Sequence, residues 1–450
     1  MGKLFGTDGI RGEFKKWPLT TEVIYAVSFG IGLWLKKKHK SKKSLNVIIG
    51  KDTRYSCDEI EKCLSLGFTE NGITVSSAGV VPTPGLAYLA NTLDVELGVM
   101  ISASHNPAQD NGIKFFKHNG FKLSEKEEIR IEKMIFDLLD KKNKAKKKCR
   151  IQVKKISAQA YMDHLKKSVP GLDLKGKNIV IDCANGAVSD YAVKLFKDFG
   201  AKVTVLSAKP DGYNINLNCG SLHPERVAQK IKQTKAYIGF SFDGDGDRVL
   251  YSSEKGVVCD GDQIMTLVAR HFMKKKKLAN KTVVATSMSN FGLGKILDEL
   301  KVKLIRADVG DKYVLEQILK NKANFGGEQS GHIIFLDYAT TGDGMLTALQ
   351  ILKIMQETGI PASRLAAGYK RYPQLLVNIR VKEKKDFKRI PAVWKQAQAV
   401  DKALKGDGRL VLRYSGTEPL ARVMVEGKCK RQIKKLADSI INEIKKEIGE

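Results

Sequence analysis

Short apolar runs recur along this chain, and each gives way to an amphipathic stretch after a cluster of Gly, Asp or Asn. The clearest runs cover residues 46–50, 97–102, 178–182, 236–240 and 282–286. Buried strands have this length and composition, and the stretches that follow have the apolar spacing of helices. The alternation of strand and helix predicts an α/β architecture.

Two longer apolar patterns predict helices. Residues 23–35 form an apolar stretch of 13 residues behind Thr20, a typical N-cap residue, whereas a helix that spans a membrane needs about 20 residues. We therefore expect a core helix there and no membrane partner. Near the other end, residues 432–449 carry Leu and Ile at helical spacing, which predicts a terminal amphipathic helix.

The charge of the chain is strongly positive, with 78 basic and 49 acidic residues among 450 and a net charge of +29. This length predicts about three domains. A basic chain suggests nucleic acid or an acidic small molecule as partner, but 62 of the basic residues are Lys and only 16 are Arg. Specific nucleic-acid readers favour the Arg fork, so we interpret the excess as a solvated surface and expect no nucleic-acid partner.

Cysteine usage and lysine runs add two expectations. The seven Cys form no CxxC pair, which excludes a disulfide scaffold or zinc ribbon and predicts a reducing, cytoplasmic compartment. Lysine-rich stretches at 141–155 and 382–389 are expected to mark domain edges. The four lysines at 274–277 are expected to end a helix, where cations suit the helix dipole.

Two loops carry candidate chemistry for phosphoryl transfer. The first follows an apolar strand and reads Ser-Ala-Ser104-His-Asn-Pro, which predicts an exposed loop tip with Ser104 as nucleophile or phosphoryl carrier; the alternative is a turn without function. The second contains Asp243, Asp245 and Asp247 separated by Gly, so that several carboxylate oxygens can converge on one hard cation. A calcium EF-hand is excluded, because Arg248 stands where that loop needs Gly and the flanks have strand patterns.

Two further loops predict a binding site for a sugar phosphate. Paired glycines before Glu328 and Ser330 favour a close approach to a ligand with hydroxyl or amine groups. Arg413 and Arg422 flank a Ser-Gly-Thr turn that is suited to a phosphate dianion. In each case an ordinary turn is the alternative. Together the four loops would supply a phosphoryl carrier, a cation site, a sugar-binding site and a phosphate-binding site.

These motifs resemble those of the α-D-phosphohexomutases, and the resemblance extends nearly from end to end. Eight segments carry it: Phe5-Gly-Thr-Asp-Gly-Ile-Arg-Gly12, the Ser104 loop, Asp182-Cys-Ala-Asn-Gly186, the Asp243 loop, Val309-Gly-Asp311, the Glu328 loop, Thr340-Thr-Gly-Asp-Gly344 and the Ser415 loop. Within the family, Gln329, the 340–344 segment and the compact length are similar to the phosphoglucosamine mutases. A sister mutase acting on glucose or mannose phosphates is the alternative.

The resemblance implies a fold of four domains around a central cleft, three mixed α/β domains and a smaller α+β domain at the C-terminus. The expected ranges are 1–153 with the phosphoserine loop, 154–254 with the metal loop, 255–369 with the sugar loop and 370–450 with the phosphate loop. The number of domains expected from the length, about three, is thereby raised to four. Monomer and homodimer stay open as oligomeric states.

The resemblance also assigns roles and ligands. Glucosamine 6-phosphate and glucosamine 1-phosphate would be interconverted through phosphoserine 104 and glucosamine 1,6-bisphosphate, with Mg²⁺ bound, for the synthesis of UDP-N-acetylglucosamine and cell-wall precursors. Lys114 would serve as base if neighbouring cations lower its pKa. The implied residues are Ser104, Arg11, Lys114 and His332 for catalysis; His105, Arg248, Glu328, Ser330, Arg413, Ser415, Gly416, Thr417 and Arg422 for substrate; and Ser104, Asp243, Asp245 and Asp247 for the metal.

Overall fold

Four β-sheets follow one another along the chain, and helices accompany each of them. The computed structural model describes residues 4–140, 153–415 and 419–450. The predicted α/β architecture with four units is confirmed. We call the units I to IV in chain order; the boundaries at 153, 254 and 369 stay predictions.

Unit I is built on a mixed sheet of six strands in the order β1-β5-β4-β2-β3-β6. Strands β2, β3, β4 and β6 run parallel, and β5 joins the sheet antiparallel to β4 and β1. Its elements are β1 (Ile10–Glu13), α1 (Thr21–Lys38), β2 (Asn46–Lys51), α2 (Cys57–Glu70), β3 (Thr74–Val80), α3 (Thr83–Thr92), β4 (Leu97–Ile101), β5 (Asp110–Lys117), α4 (Glu125–Asp140) and β6 (Val153–Lys155).

Units II and III contain sheets of five and four strands, in the orders β11-β10-β9-β7-β8 and β13-β12-β14-β15. Unit II comprises α5 (Gln159–Lys167), β7 (Asn178–Asp182), α6 (Ser189–Asp198), β8 (Lys202–Leu206), α7 (Glu225–Thr234), β9 (Ile238–Phe242), β10 (Val249–Ser253) and β11 (Val258–Cys259). Unit III comprises α8 (Gly261–Lys274), β12 (Thr282–Thr286), α9 (Phe291–Glu299), β13 (Lys303–Ala307), α10 (Asp311–Lys320), β14 (Phe325–Gly327), β15 (Ile333–Phe335), α11 (Gly344–Thr358) and α12 (Ala362–Leu365).

Unit IV is a small antiparallel sheet of three strands in the order β16-β18-β17, with two helices. Its elements are β16 (Gln374–Arg380), α13 (Pro391–Leu404), β17 (Gly408–Tyr414), β18 (Leu420–Gly427) and α14 (Lys430–Ile448). The buried face of α14 carries Ile433, Ala437, Ile440, Ile441 and Ile444, so the predicted terminal amphipathic helix is confirmed.

The hydrophobic cores divide the molecule differently from the sheets. One continuous core runs through units II and III, from Tyr161 in α5 to Leu365 in α12. Unit I has its own core between its sheet and helices α1, α2 and α4, with a smaller cluster on the α3 side, and unit IV also has a core of its own. The shared core joins II and III as one body, whereas unit IV is attached through a polar junction. At that junction the buried Glu426 accepts hydrogen bonds from Asn290 Nδ2 (2.9 Å) and Arg409.

Most local expectations from the sequence are confirmed. The N-cap of α1 is Thr20, whose hydroxyl accepts a hydrogen bond from Val23 N (3.3 Å), and the helix covers the predicted apolar stretch. Helix α8 ends at Lys274, at the start of the predicted lysine cluster. Within the described parts of the chain, none of the helices combines the length and apolar character that a membrane crossing demands.

Two local expectations need correction. The stretch 382–389 does not separate domains, because it lies inside unit IV between β16 and α13. The strand expected at 236–240 is displaced to 238–242, since Lys235 has a left-handed backbone (φ 48°) that ends α7 and delays the strand. The other predicted edge, 141–155, lies largely outside the described residues.

The functional loops gather because units I, II and III contact one another at the ends of their strands. Lys122 of unit I forms ion pairs with Asp8 of the same unit and with Asp311 of unit III. Thr340 Oγ1 donates a hydrogen bond to Gly120 O (2.6 Å), also between III and I. The three units therefore surround a common cleft.

A prediction follows from the N-terminus of α4, where Ser124 and Glu127 exchange hydrogen bonds in a capping box. Partial burial raises the pKa of Glu127. Hydrogen bonds from Lys38 and Ser124 outweigh this effect and lower the pKa to about 2. The stabilisation is therefore complete above the unfolded-state pKa near 4.5 and is lost as the pH falls toward 2. Glu127→Gln should destabilise unit I by about 0.5–1 kcal/mol at pH 6.5.

The measurement is the midpoint of thermal unfolding for Glu127→Gln and the unsubstituted chain at pH 6.5 and 3.5. The difference between the two proteins should shrink at the lower pH. Glu447→Gln, near the end of α14, serves as control for the loss of one exposed carboxylate. An equal difference at both pH values contradicts the charged capping box.

Candidate active site

The predicted phosphoryl carrier, Ser104, lies in the loop between β4 and β5. Its hydroxyl donates a hydrogen bond to Asp243 Oδ2 (2.6 Å), which joins the first and second predicted loops. The residue has a left-handed backbone with φ 53°. The expected exposed loop tip is wrong, because Ser104 is 1% exposed. Gly244 of unit II covers it so closely that a Cβ atom there would lie 2.6 Å from Ser104 O.

The second loop links the antiparallel strands β9 and β10 and gathers its three carboxylates as predicted. One oxygen each of Asp243, Asp245 and Asp247 lies within 4.8 Å of the others, and all three residues are buried. Thr83 of unit I holds Asp245 by a hydrogen bond from Oγ1 to Oδ2 (2.5 Å) and by a second one from its backbone N–H to Asp245 O (2.9 Å). The loop is thus fixed from both sides of the boundary between I and II.

The electrostatics of this cluster fit a divalent cation. Burial, together with repulsion from Asp247 and Asp245, raises the pKa of Asp243 well above its usual range. Asp245 Oδ1 and Asp247 Oδ1 are buried and accept no hydrogen bond from the described residues. Buried carboxylate oxygens without a hydrogen-bond donor, in side chains that repel one another, are the ligands that a hard cation needs.

Buried cations line the other side of the cluster. Lys114 is 1% exposed, and its Nζ lies 2.9 Å from Asp245 Oδ2, 3.1 Å from Asp8 Oδ2 and 3.6 Å from Asp247 Oδ2. The condition set for Lys114 as a base, a pKa lowered by neighbouring cations, is not met. Burial lowers the pKa of Lys114, but the charges of Asp245, Asp8 and Asp247 outweigh burial and raise it above its ordinary value. Lys114 is therefore an ammonium ion in this structure. Arg11 contacts Asp8 and directs Nη1 at Ala103 O (3.5 Å), beside Ser104.

His105 and Arg248 continue the cationic side toward the cleft. Arg248 Nη1 donates to His105 Nδ1 (3.0 Å), and this atom also lies 3.4 Å from Ser104 Oγ. Burial and the charges of Arg248 and Arg11 lower the pKa of His105 to about 3. His105 is therefore neutral, with its ring proton on Nε2.

The third loop lies between β14 and β15 and forms part of an open cavity of about 580 Å³. Glu328 and Ser330 line this cavity together with His105 and Arg248. Ser330 Oγ donates to Glu328 Oε2 (3.2 Å), and Gly310 N donates to Glu328 Oε1 (3.3 Å). The cavity thus connects the Glu328 loop with the residues next to Ser104, and it has the volume of a small-ligand site.

His332 lies at the inner end of the same loop and is 2% exposed. Its Nε2 accepts a hydrogen bond from Gly342 N (3.2 Å) and lies 3.7 Å from Asp311 Oδ2. Its Nδ1 is buried without a hydrogen-bond partner among the described residues. The hydrogen bond from Gly342 and the approach to Asp311 keep the His332 ring in one orientation, near the ion pair of Lys122 and Asp311.

The fourth loop belongs to unit IV and concentrates positive charge. Arg413 of β17 and Arg422 of β18 occupy directly opposed positions in the antiparallel ladder. Burial and the charge of Arg422 lower the pKa of Arg413. Arg422 Nη2 also donates to Ser415 Oγ (3.3 Å). Facing guanidinium groups are destabilising by themselves, and an anion between them relieves the repulsion. Gly416 and Thr417 lie outside the described residues.

The first three predicted loops meet, and the fourth stays apart. Residues of the loops of Ser104, Asp243 and Glu328 line the cavity, whereas Arg413, Ser415 and Arg422 are not among its lining residues. Several residues that shape the site were missed from the sequence, among them Asp8, Arg54, Thr83, Lys122 and Asn216. Asp8 lies within the motif at residues 5–12 but was not assigned a role. Arg54 follows the apolar run at 46–50, and its position at a strand end could have marked it as a candidate site residue.

Comparison with known families agrees with this architecture. Four models of the phosphoglucomutase/phosphomannomutase family match in order: alpha/beta/alpha domain I at residues 2–142, domain II at 159–256, domain III at 260–372 and the C-terminal domain at 376–443. The chain therefore belongs to the phosphoglucomutase/phosphomannomutase family, and the resemblance stated from the motifs is confirmed.

The similar curated proteins are more specific in their names. The phosphoglucosamine mutase of Syntrophotalea carbinolica is 44% identical over 99% of this chain and 98% of its own length. That of Shouchella clausii is 43% identical over the full length of both chains. Among solved structures, a phosphoglucomutase/phosphomannomutase family protein from Burkholderia thailandensis has a TM-score of 0.79 at 22% identity, covering 98% of this chain and 97% of its own. The N-acetylphosphoglucosamine mutase of Aspergillus fumigatus, solved with GlcNAc-6P and magnesium, has a TM-score of 0.68 at 18% identity, covering 98% and 95%.

The carboxylate cluster gives a prediction that does not depend on activity. Millimolar MgCl₂ should raise the melting temperature of the purified protein by about 1–3 °C, because a bound cation removes the repulsion among the carboxylates. Asp243→Asn should abolish this shift. Without Mg²⁺ the variant should melt at the same or a higher temperature than the parent, since it carries one buried charge fewer.

Scanning calorimetry with and without MgCl₂ makes this measurement. Asp438→Asn on the outer part of α14 is the control and should keep the full shift. A Mg²⁺ effect of equal size in Asp243→Asn would mean that the cation binds elsewhere.

Proposed function

We propose that this chain is an isomerase that interconverts glucosamine 6-phosphate and glucosamine 1-phosphate. The observation that carries the proposal is the placement of Ser104 Oγ 2.6 Å from Asp243, inside a buried cluster of three carboxylates and next to a ligand-sized cavity. The names of full-length relatives at 43–44% identity support the glucosamine phosphates as substrates.

In the proposed reaction, phosphoserine 104 gives its phosphoryl group to the free hydroxyl of the bound sugar phosphate. The bond from phosphorus to Ser104 Oγ breaks, the bond to the sugar oxygen forms, and the hydroxyl proton passes to a base. The product is glucosamine 1,6-bisphosphate, which turns over in the cleft and returns its other phosphoryl group to Ser104. Atoms and charge balance over the cycle, and no external donor is consumed.

The residues around Ser104 suit this transfer. Asp243, Asp245 and Asp247 would hold Mg²⁺, which supplies positive charge beside the transferring phosphoryl oxygens when bound. Arg11 and Arg248 place fixed guanidinium charges at the same point. The ammonium of Lys114 is proposed as a proton donor to the departing oxygen and as a further charge, since its carboxylate neighbours keep it protonated. His332 stays a candidate for the opposite proton transfer.

The proposed substrate contacts lie farther out. Glu328 and Ser330 would hold the sugar, with the carboxylate of Glu328 suited to an amine or a hydroxyl. Arg413, Ser415, Gly416, Thr417 and Arg422 would bind the phosphate that is not being transferred. Because Arg413, Ser415 and Arg422 do not line the cavity, unit IV would have to close over the substrate to bring them into contact with it.

A cytoplasmic location and a state of monomer or homodimer complete the proposal. The cysteines of the described chain, including the exposed Cys429, are free thiols, as expected in a reducing compartment. Size-exclusion chromatography with light scattering distinguishes the two oligomeric states.

Replacement of the carrier tests the covalent route. Ser104→Ala should lower kcat by at least about 10³-fold even with bisphosphate supplied, because the phosphoryl acceptor is removed. Phosphopeptide mass spectrometry of the unsubstituted protein should find phosphate on Ser104. Ser439→Ala on α14 is the matched control and should retain full turnover. Retained turnover in Ser104→Ala would contradict the phosphoserine route.

A substrate comparison tests the specificity. The kcat/KM for glucosamine 6-phosphate should exceed those for glucose 6-phosphate and mannose 6-phosphate by about 10-fold or more, the discrimination expected from one satisfied polar contact. Glu328→Gln should reduce this preference, because the carboxylate that pairs with the amine loses its charge. Equal or higher kcat/KM for glucose or mannose phosphates assigns the chain to a sister mutase.

A further inference from the structure

Arg54, which follows β2, holds the loop of Ser104 by its backbone. The residue is 3% exposed, and its guanidinium donates to four carbonyl oxygens of that loop and its end. These are Ser104 O (3.0 Å), Asn106 O (2.8 Å), Asp110 O (2.9 Å) and Pro107 O. A guanidinium whose Nη1 and Nη2 groups both donate to one loop fixes the path of that loop and not merely its charge.

Asp52 connects the same guanidinium to the other side of Ser104. Its Oδ2 accepts from Arg54 Nε (2.9 Å) and from Ser102 Oγ (2.6 Å). Ser102 Oγ in turn accepts the backbone N–H of Ser104 (2.9 Å). Both ends of residue 104, its N–H and its carbonyl, are therefore connected to one buried ion pair in unit I.

Asn216 of unit II binds the same two carbonyl oxygens from the opposite side. Its Nδ2 donates to Ser104 O (2.9 Å) and Asn106 O (3.0 Å), and the residue is 8% exposed. Its backbone N–H donates to Ala184 O (2.9 Å), which anchors it in unit II. Each of the two carbonyls thus accepts from both units at once.

We propose that Arg54 and Asn216 are positioning residues for phosphoryl transfer: they clamp the peptide of Ser104 between units I and II so that its oxygen stays directed at Asp243. The proposal rests on the proposed function of Ser104 as phosphoryl carrier. Neither residue reaches the cleft cavity, so their effect on the reaction passes through the loop.

The backbone of Ser104 explains why a clamp is needed. A non-glycine residue with φ 53° is in a region that L-residues rarely adopt, and the surrounding contacts have to hold it there. Release of Ser104 O would let the peptide rotate and carry Oγ away from Asp243. Transfer to either end of a sugar bisphosphate depends on this placement, because small displacements of the reacting atoms reduce the rate steeply.

The test uses two variants and two matched controls in the full chain. Arg54→Lys keeps the charge beside Asp52 but cannot reach four carbonyls, and Asn216→Asp keeps the shape while losing the amide donor. Arg270→Lys and Asn280→Asp are the controls. Arg270 also donates to two carbonyls (2.9 and 2.7 Å), and Asn280 also bridges two carbonyls (3.1 and 3.0 Å) with a left-handed backbone, both in unit III.

Arg54→Lys and Asn216→Asp are each expected to lower kcat by about 10- to 100-fold while KM for the sugar phosphate changes less than about 3-fold. Hydrogen exchange should increase over residues 101–110, and the melting temperature should change no more than in the controls. The controls should keep kcat and KM. Should Arg54→Lys fail to fold, Asn216→Asp decides alone.

Unchanged kcat in Asn216→Asp, or a rise in KM without a fall in kcat, would overturn the proposal. A fall in kcat with unchanged exchange over 101–110 would overturn it as well, because the effect would not pass through the loop. Failure of the proposed function has a different signature: the unsubstituted protein would turn over no hexose phosphate. The exchange measurement still decides in that case whether Arg54 and Asn216 hold the loop.

Discussion

Repulsion among three buried carboxylates is the constraint on which the rest of the site depends. Asp243, Asp245 and Asp247 lie within 4.8 Å of one another, where water cannot screen them. Unit I supplies the compensation, with the ammonium of Lys114 on one side and the hydroxyl of Ser104 on the other. The compensation is consequently complete only when the two units are docked, and the same docking buries Ser104.

The hydrophobic cores, together with the ion pairs between units, divide the molecule into two parts. Units II and III share one core, and the ion pairs of Lys122 join unit I to them. Unit IV has a core of its own, and its junction is made by polar contacts of Glu426. The loops of Ser104, Asp243 and Glu328 thus belong to units I, II and III, and the facing Arg413 and Arg422 belong to unit IV with its separate core.

The sequence was sufficient for the strand and helix alternation and for the four loops, because strand ends rich in Gly and Asp are local signals. It did not predict the burial of Ser104, since the covering residue comes from another unit. The direction of the Lys114 pKa shift could not be predicted, because Asp245 and Asp8 are distant from Lys114 in sequence and adjacent only in the fold. Arg54 and Asn216 escaped notice for a related reason: their partners are backbone carbonyls, which no residue pattern reveals.

The left-handed backbone of Ser104 limits which hydroxyl amino acid fits this position. Threonine has the same hydroxyl chemistry, but its branched Cβ makes the region around φ 53° far less accessible. Exchange of one hydroxyl amino acid for the other, harmless in many phosphorylated loops, would here require a different loop conformation. The choice of serine is therefore dictated by stereochemistry of the main chain as much as by the reactivity of the side chain.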